Sequence, residues 1–249
     1  MTEPANLTPV EWSKVLSDGS EPQKVAERLK MGKYLSWNEV LLRELENDQD
    51  ILDLGSGRGE NSAMLALRGK RTNLLDWSQD NLDFSKALYR ELGKQGQFYR
   101  ADMTKRLPFE DGSFDAVFSC GVFEYFMDEE IRNILTEAFR VSRKKVILLI
   151  PNALSIFYRI GKWYMEKNNK WPWGGEKTFI SMKPYFTHIP DVRVREFTVA
   201  AKHSLNFLTM AHGKKWQNFF MKLLNLKDHS NPSWFNQGYL LISVAERDR

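Results

Sequence analysis

The chain has a single cysteine, Cys120, among its 249 residues, so no intramolecular disulfide can form and a reducing compartment is the natural setting. No run reaches the eighteen or so consecutive apolar residues that a membrane-spanning helix requires. The longest clean apolar runs, VILLI at 146–150 and YLLI at 239–242, are strand-sized. The first residues, MTEPANLTPVEW, are acidic and polar, unlike a secretory signal or a transit peptide. Together these absences predict a cytoplasmic protein with no transmembrane segment. Internal repeats and low-complexity tracts are also missing, which excludes solenoids and long disordered arrays. No metal site is predicted. What remains is ordinary for a globular chain, 42% hydrophobic and 27% charged, and long enough for one large α/β domain with additions.

Charge and aromatics are unevenly spread. Residues 151–249 hold fifteen Lys and Arg against seven Asp and Glu, 17 of the 32 Phe, Trp and Tyr, and all four histidines. Residues 1–150 carry a net negative balance and read as a regular core. A basic, aromatic second part suits an anionic or aromatic substrate, an anionic membrane surface or nucleic acid; a solvated basic surface over an aromatic core accounts for it equally well.

Periodicity predicts an amphipathic helix at 33–47 and then a strict alternation. Strands are expected at 50–54, 72–76, 96–102, 113–121 and 144–152, with helices at 58–69, 78–93 and 128–142 between them. Ser78 is a suitable N-cap and Gly93 a suitable stop. Such alternation implies a doubly wound, mostly parallel sheet. After Asn152 an aromatic, basic helix is expected over 153–171 and a short helix near 182–188. Strands at 192–200 and 238–247 enclose an insertion of some 37 residues. We divide the single domain into an N-terminal helical segment (1–47), a core (48–152), and cap insertions at 153–180 and 201–237.

The stretch ILDLGSGRGE (51–60) places Gly55, Gly57 and Gly59 directly after a strand. A strand, glycine loop and helix bring backbone N–H groups and a positive helix end against a polar ligand. The spacing is GxGxG, and Glu60 stands where the third glycine of the dinucleotide fingerprint would fall. Asp53 precedes the loop, Asp76 ends the second strand, and Asp102 is expected to end the third. Three carboxylates at the carboxyl ends of adjacent parallel strands face one crevice. An ammonium, a sulfonium, a ribose and an adenine suit them better than a pyrophosphate, which points to S-adenosylmethionine.

The stretches LDLGSGRGENSAMLA, NLLDWSQDNLDFSKA, YRADMTKRLPFEDGSFDAVFSCGVFEYF and VILLIPN resemble the class I S-adenosylmethionine-dependent methyltransferases, of the broad type related to quinone-biosynthesis (type 11) methyltransferases. The resemblance implies a Rossmann-like seven-stranded sheet in the order 3-2-1-4-5-7-6, last strand antiparallel. It also implies methyl transfer to a small-molecule acceptor, with S-adenosylhomocysteine as product. On it, Gly55, Ser56, Gly57 and Gly59 approach the methionine moiety while Asp53 orders its amine. Asp76 holds the ribose, Trp77 covers the ring face, and Asp102 and Met103 read the adenine edge. Ser119 and Cys120 pass beside the methionine chain, and Tyr34 or Trp37 closes over the cofactor or simply packs on the sheet.

On the acceptor side, Glu124 and Tyr125 follow the fourth strand, where quinone-type relatives often carry a histidine. Glu124 is a candidate base and Tyr125 a candidate for orienting a hydroxyl; helix capping and packing are the bland alternatives. Arg159, Lys162, Trp163, Trp171 and Trp173 suit an anionic, aromatic or sugar-bearing acceptor. The apolar positions of KKWQNFFMKLLNL (214–226) fit a lid helix or one lying on a membrane surface. The NPPY or DPPY signature of amino-methyltransferases is missing after the fourth strand, and no RNA-binding module is seen, which argues against nucleic acid. A cofactor-binding subunit without catalysis is the rival reading.

Overall fold

Alternate residues of each central strand face opposite layers, and the sequence supplies apolar side chains to both. In the computed structural model, which describes residues 8, 11, 14, 16, 19–35, 37–212 and 238–248 (backbone alone for 208–212), β1 (Asp50–Leu54) turns Ile51 towards one hydrophobic layer and Leu52 and Leu54 towards the other. β5 (Ser142–Pro151) does the same, with Ile147 and Leu149 on the first side and Val146, Leu148 and Ile150 on the second. A strand apolar on both faces is stable only with helices on both sides.

The sheet has seven strands in the order β3-β2-β1-β4-β5-β7-β6. β2 (Arg71–Asp76), β3 (Gln97–Arg100) and β4 (Phe114–Cys120) run parallel with β1 and β5, whereas β7 (Leu240–Arg247) pairs antiparallel with both β5 and β6 (Val192–Val199). One face carries α1 (Pro22–Lys30), α2 (Asn38–Glu44), α3 (Glu60–Leu67) and α4 (Gln79–Leu92). The other carries α5 (Asp128–Val141) and the short α7 (Lys183–Phe186). α6 (Ile156–Lys167) and α8 (Ala201–His212) pack on each other beyond the carboxyl ends of β5 and β6. Among the described residues no helix is long and apolar enough to cross a membrane.

Local chemistry sets the boundaries. Ser78 Oγ accepts the Asn81 N–H at 3.4 Å, and Gly93 ends α4 in the left-handed conformation (φ 63°). Three acids open α5 and Arg140 lies in its last turn. Several elements are shorter than expected. The helix over 33–47 forms only at 38–44, after a turn at Gly32 whose φ is 68°. The helix over 153–171 is confined to 156–167, because Asn152 Oδ1 accepts the Leu154 N–H and holds 152–155 as a turn. The third strand stops at Arg100, so Asp102 lies in the following turn. The segment 214–226 lies outside the described residues.

Candidate functional site

The crevice forms at the carboxyl ends of β1, β2 and β4, where the strand order reverses. Gly55 and Ser56 both donate their N–H to the Leu75 carbonyl, at 2.9 and 3.0 Å, which folds the loop back over β2. Gly59 adopts φ 72°, and a Cβ there would stand 2.6 Å from Ser85 Oγ and 2.7 Å from Leu74 Cδ2. Glycine is therefore required by both conformation and space.

Asp76 serves this loop before any ligand arrives. Its Oδ2 accepts the Gly57 N–H at 2.8 Å, and its Oδ1 accepts the Ser78 N–H at 2.9 Å and Asn81 Nδ2 at 3.4 Å. Burial pushes its pKa up and these donors pull it back. Asp53, 2% exposed, lies beneath the loop and accepts Ser62 Oγ at 2.6 Å. Desolvation raises its pKa to about 7, against the hydrogen bond from Ser62 and reinforced by the charge of Asp76. Trp77 stands half exposed beside Asp76, as a ring that covers a ligand would.

Other expected contacts are placed differently. Asp102 is exposed and its Oδ1 accepts both the N–H and the Oγ1 of Thr104, at 2.9 and 2.7 Å, so it caps a turn. Met103 is buried in the second hydrophobic layer. Ser119 Oγ donates to the Leu54 carbonyl at 2.7 Å, tying β4 to β1. Tyr34 packs against the first layer with the Arg68 guanidinium 6.0 Å from its ring, while Trp37 instead meets His203 and Tyr239, at 5.0 and 6.1 Å between ring centroids. Arg58, which no motif in the sequence singles out, holds its guanidinium 3.5 Å over Phe84 and donates to the Leu16 and Ser20 carbonyls, tying these two residues to the loop.

A second polar cluster lies just past β4. Val122 Cγ2 stands 2.9 Å from where a Gly55 Cβ would be, so the segment 121–125 packs directly on the glycine loop. Glu124 is 3% exposed, and its Oε2 has no hydrogen-bond partner. Glu176, from the loop after α6, accepts the hydroxyls of Tyr158 and, at 3.3 Å, Tyr125, and pairs with Lys162 at 3.2 Å. Burial first, and then the Glu176 charge, hold the Glu124 carboxyl well above the ordinary range. Burial likewise raises the phenols of Tyr125, Tyr158 and Tyr239, and the Cys120 thiol to about 12, so all four stay protonated at neutral pH. The rings of Tyr158, Phe207 and Tyr239 stand 4.9 to 5.1 Å apart by centroid and wall this cluster. Glu124 and Tyr125 were legible as candidates. Glu176, Tyr158 and Tyr239 were not, since no local motif carries them.

Residues 51–145 match the family model described as a methyltransferase domain. Over this core the chain is similar to S-adenosylmethionine-dependent methyltransferases, and its sheet has the fold of their solved structures. Among curated relatives, the magnesium-protoporphyrin O-methyltransferase of Rhodobacter capsulatus is 25% identical over 164 residues, covering 63% of this chain and 71% of that protein. An uncharacterized protein of Haemophilus influenzae is 35% identical over 80 residues, or 31% of this chain; the match spans 27% of that relative's length. A solved methyltransferase of Thermotoga maritima, described as a possible histamine N-methyltransferase, superposes with a TM-score of 0.63 at 14% identity over 97% of this chain and 100% of its own. The magnesium protoporphyrin IX methyltransferase of Synechocystis, solved with S-adenosylhomocysteine bound, gives 0.60 at 14% identity over 96% and 94%.

Two local observations suit S-adenosylmethionine in this core. Ser56 Oγ is buried in the glycine loop without a partner, and the Asp76 carboxyl and the half-exposed Trp77 ring lie beside that loop at the end of β2.

Proposed function

We propose that this methyltransferase acts on a small-molecule acceptor held between the ends of β4 and β5 and a cap made by α6, the 171–179 loop and α8. The observation that carries this reading is the contact of Val122 with Gly55, which sets Glu124 and Tyr125 beside the loop assigned to the methionine moiety. When bound, S-adenosylmethionine supplies an electrophilic methyl on a sulfonium, and transfer needs the acceptor in line with it. The chain's contribution is alignment and the exclusion of water. Asp53, Gly55, Ser56, Gly57, Gly59, Asp76 and Trp77 bind and orient the cofactor. Asp102, Met103, Ser119, Cys120 and Tyr34 shape the surrounding walls.

Glu124 is the group that holds or takes a proton, since the phenols of Tyr125 and Tyr158 keep theirs and direct them at Glu176. Of the expected acceptor classes the aromatic one has most support, from the rings of Trp37, Tyr158, Phe207 and Tyr239. Lys162 is engaged by Glu166 and Glu176, at 3.5 and 3.2 Å, so the cation nearest the cluster is already neutralised.

Calorimetric titration with S-adenosylhomocysteine, with NADH as control, tests the assignment. Micromolar binding of the first alone is expected, together with its loss in Gly57→Val, where a branched side chain would be forced into φ 53°. Binding of NADH, or an indifferent Gly57→Val, would overturn it.

A further inference from the structure

The acceptor-side cluster carries an imbalance that the fold does not resolve. Two buried carboxyl groups, Glu124 and Glu176, face one ammonium, Lys162, whose side chain is 12% exposed. Glu176 is fully occupied, with two tyrosine hydroxyls and Lys162 on its carboxylate and a further Lys162 contact on its carbonyl at 3.1 Å. Glu124 is not. Its backbone carbonyl accepts the Lys177 N–H at 2.9 Å, while its side-chain Oε2 is enclosed without a donor. An unsatisfied buried carboxylate oxygen is costly and calls for a partner.

The groups facing it cannot serve as that partner. Around Glu124 stand Cys120 at the end of β4, Tyr239 before β7, Glu176 in the cap loop and Lys162 on α6. Lys162 is held by Glu176 and Glu166 and lies over the Trp171 ring at 4.8 Å. The rest of the wall is aromatic, with Tyr158, Phe207 and Tyr239 in mutual contact, and the Nε1 of Trp171 is also buried without a partner. Carboxylate plus aromatic faces is the chemistry that receives an organic cation and rejects an anion.

We propose that Glu124 is the binding residue for a protonated amine on the methyl acceptor, so that the substrate class is a primary or secondary arylalkylamine. This deepens the methyltransferase reading and rests on it. The entering ammonium supplies the positive charge that an ionised Glu124 needs, since Lys162 is already paired with Glu176. Glu124, neutral in the free protein, releases its proton to solvent as the ammonium binds. For transfer, one ammonium proton then moves from nitrogen to Glu124 Oε2, which leaves a neutral amine with its lone pair available. Glu176 acts as a positioning residue, holding Tyr125, Tyr158 and Lys162 around the site.

The test uses the full chain saturated with S-adenosylhomocysteine and three matched probes: phenethylamine, 2-phenylethanol and 3-phenylpropionate. Calorimetry is run at pH 7 in buffers of different ionisation enthalpy. Phenethylamine is expected to bind at least tenfold more tightly than the alcohol or the acid, with about one proton released per molecule bound. In Glu124→Gln that preference and the proton release disappear, while the affinity for S-adenosylhomocysteine stays within about threefold. Equal or tighter binding of the alcohol or the acid, or no binding of the amine to protein that holds S-adenosylhomocysteine, overturns the proposal. Failure to bind S-adenosylhomocysteine in the first place strikes the methyltransferase reading instead, so the two failures are told apart. Should Glu124→Gln not fold, the ranking of the three probes on the native chain and the proton count still decide.

Discussion

The cofactor crevice and the acceptor cluster lie side by side and are built on opposite plans. In the crevice most polar groups are used by the protein itself, the buried Ser56 Oγ excepted: Asp76 Oδ2 holds Gly57 and its Oδ1 holds Ser78 and Asn81, Asp53 is bonded by Ser62, and the N–H groups of Gly55 and Ser56 fold back onto Leu75. In the acceptor cluster a carboxylate oxygen and an indole N–H are left unpartnered, and two acids share one lysine. A region whose carboxyl groups and backbone are already bonded without ligand is preorganised and recognises largely by shape. A region with orphaned groups is completed by what it binds, and so encodes specificity in what it lacks.

Substitutions separate the two plans. The largest effect is expected for Gly59→Val, which meets Ser85 and Leu74 in a backbone region that branched residues avoid. The cost should exceed about 3 kcal/mol in chemical denaturation, and S-adenosylhomocysteine binding should disappear. Wild-type stability would show that the crevice is not rigid.

Asp53 comes next. Its folded-state pKa, about 7, lies above the ordinary 3.8, so the folded chain holds a proton there that the unfolded chain has lost. Stability is then greatest below about pH 4 as far as this group is concerned, and falls as pH rises through 7, by roughly 4 kcal/mol in all. Asp53→Asn keeps the Ser62 bond and should flatten that slope; an unchanged stability–pH curve between pH 5 and 7.5 would count against burial as its cause.

Asp76→Ala removes three accepted hydrogen bonds, one from Gly57 in the loop and two from Ser78 and Asn81, and should weaken S-adenosylhomocysteine by about 30- to 100-fold, equivalent to about 2–3 kcal/mol. If the comparison holds, phenethylamine binding at the acceptor cluster changes far less. The smallest effect is expected under the cap, where Ala200 joins β6 to α8 with φ 62°. Ala200→Gly should relieve strain and raise stability by about 0.5–1 kcal/mol, with S-adenosylhomocysteine affinity untouched.

The local parts of this molecule were legible from its residues. Asp53, the three glycines, Asp76 and Trp77 fall within one strand–loop–helix–strand unit, and the alternation of apolar runs with capped helices implied the doubly wound sheet. Element ends were less legible, because turns set them: the third strand stops at Arg100, before the turn that Asp102 and Thr104 share, and the helix expected from Lys33 waits until Asn38.

The sequence by itself thus determined the sheet, its order of elements and the cofactor loop, because each is set by periodicity and by contacts within a few residues or one βαβ unit. Only the tertiary structure decided the acceptor side. Glu124, Tyr158, Lys162, Glu176 and Tyr239 come from β4's end, α6, the cap loop and the approach to β7, and no spacing in the chain announces that they meet. Whether a carboxylate there is paired or orphaned depends on which groups the fold leaves within reach and on how completely water is excluded. Both are properties of packing across the whole chain.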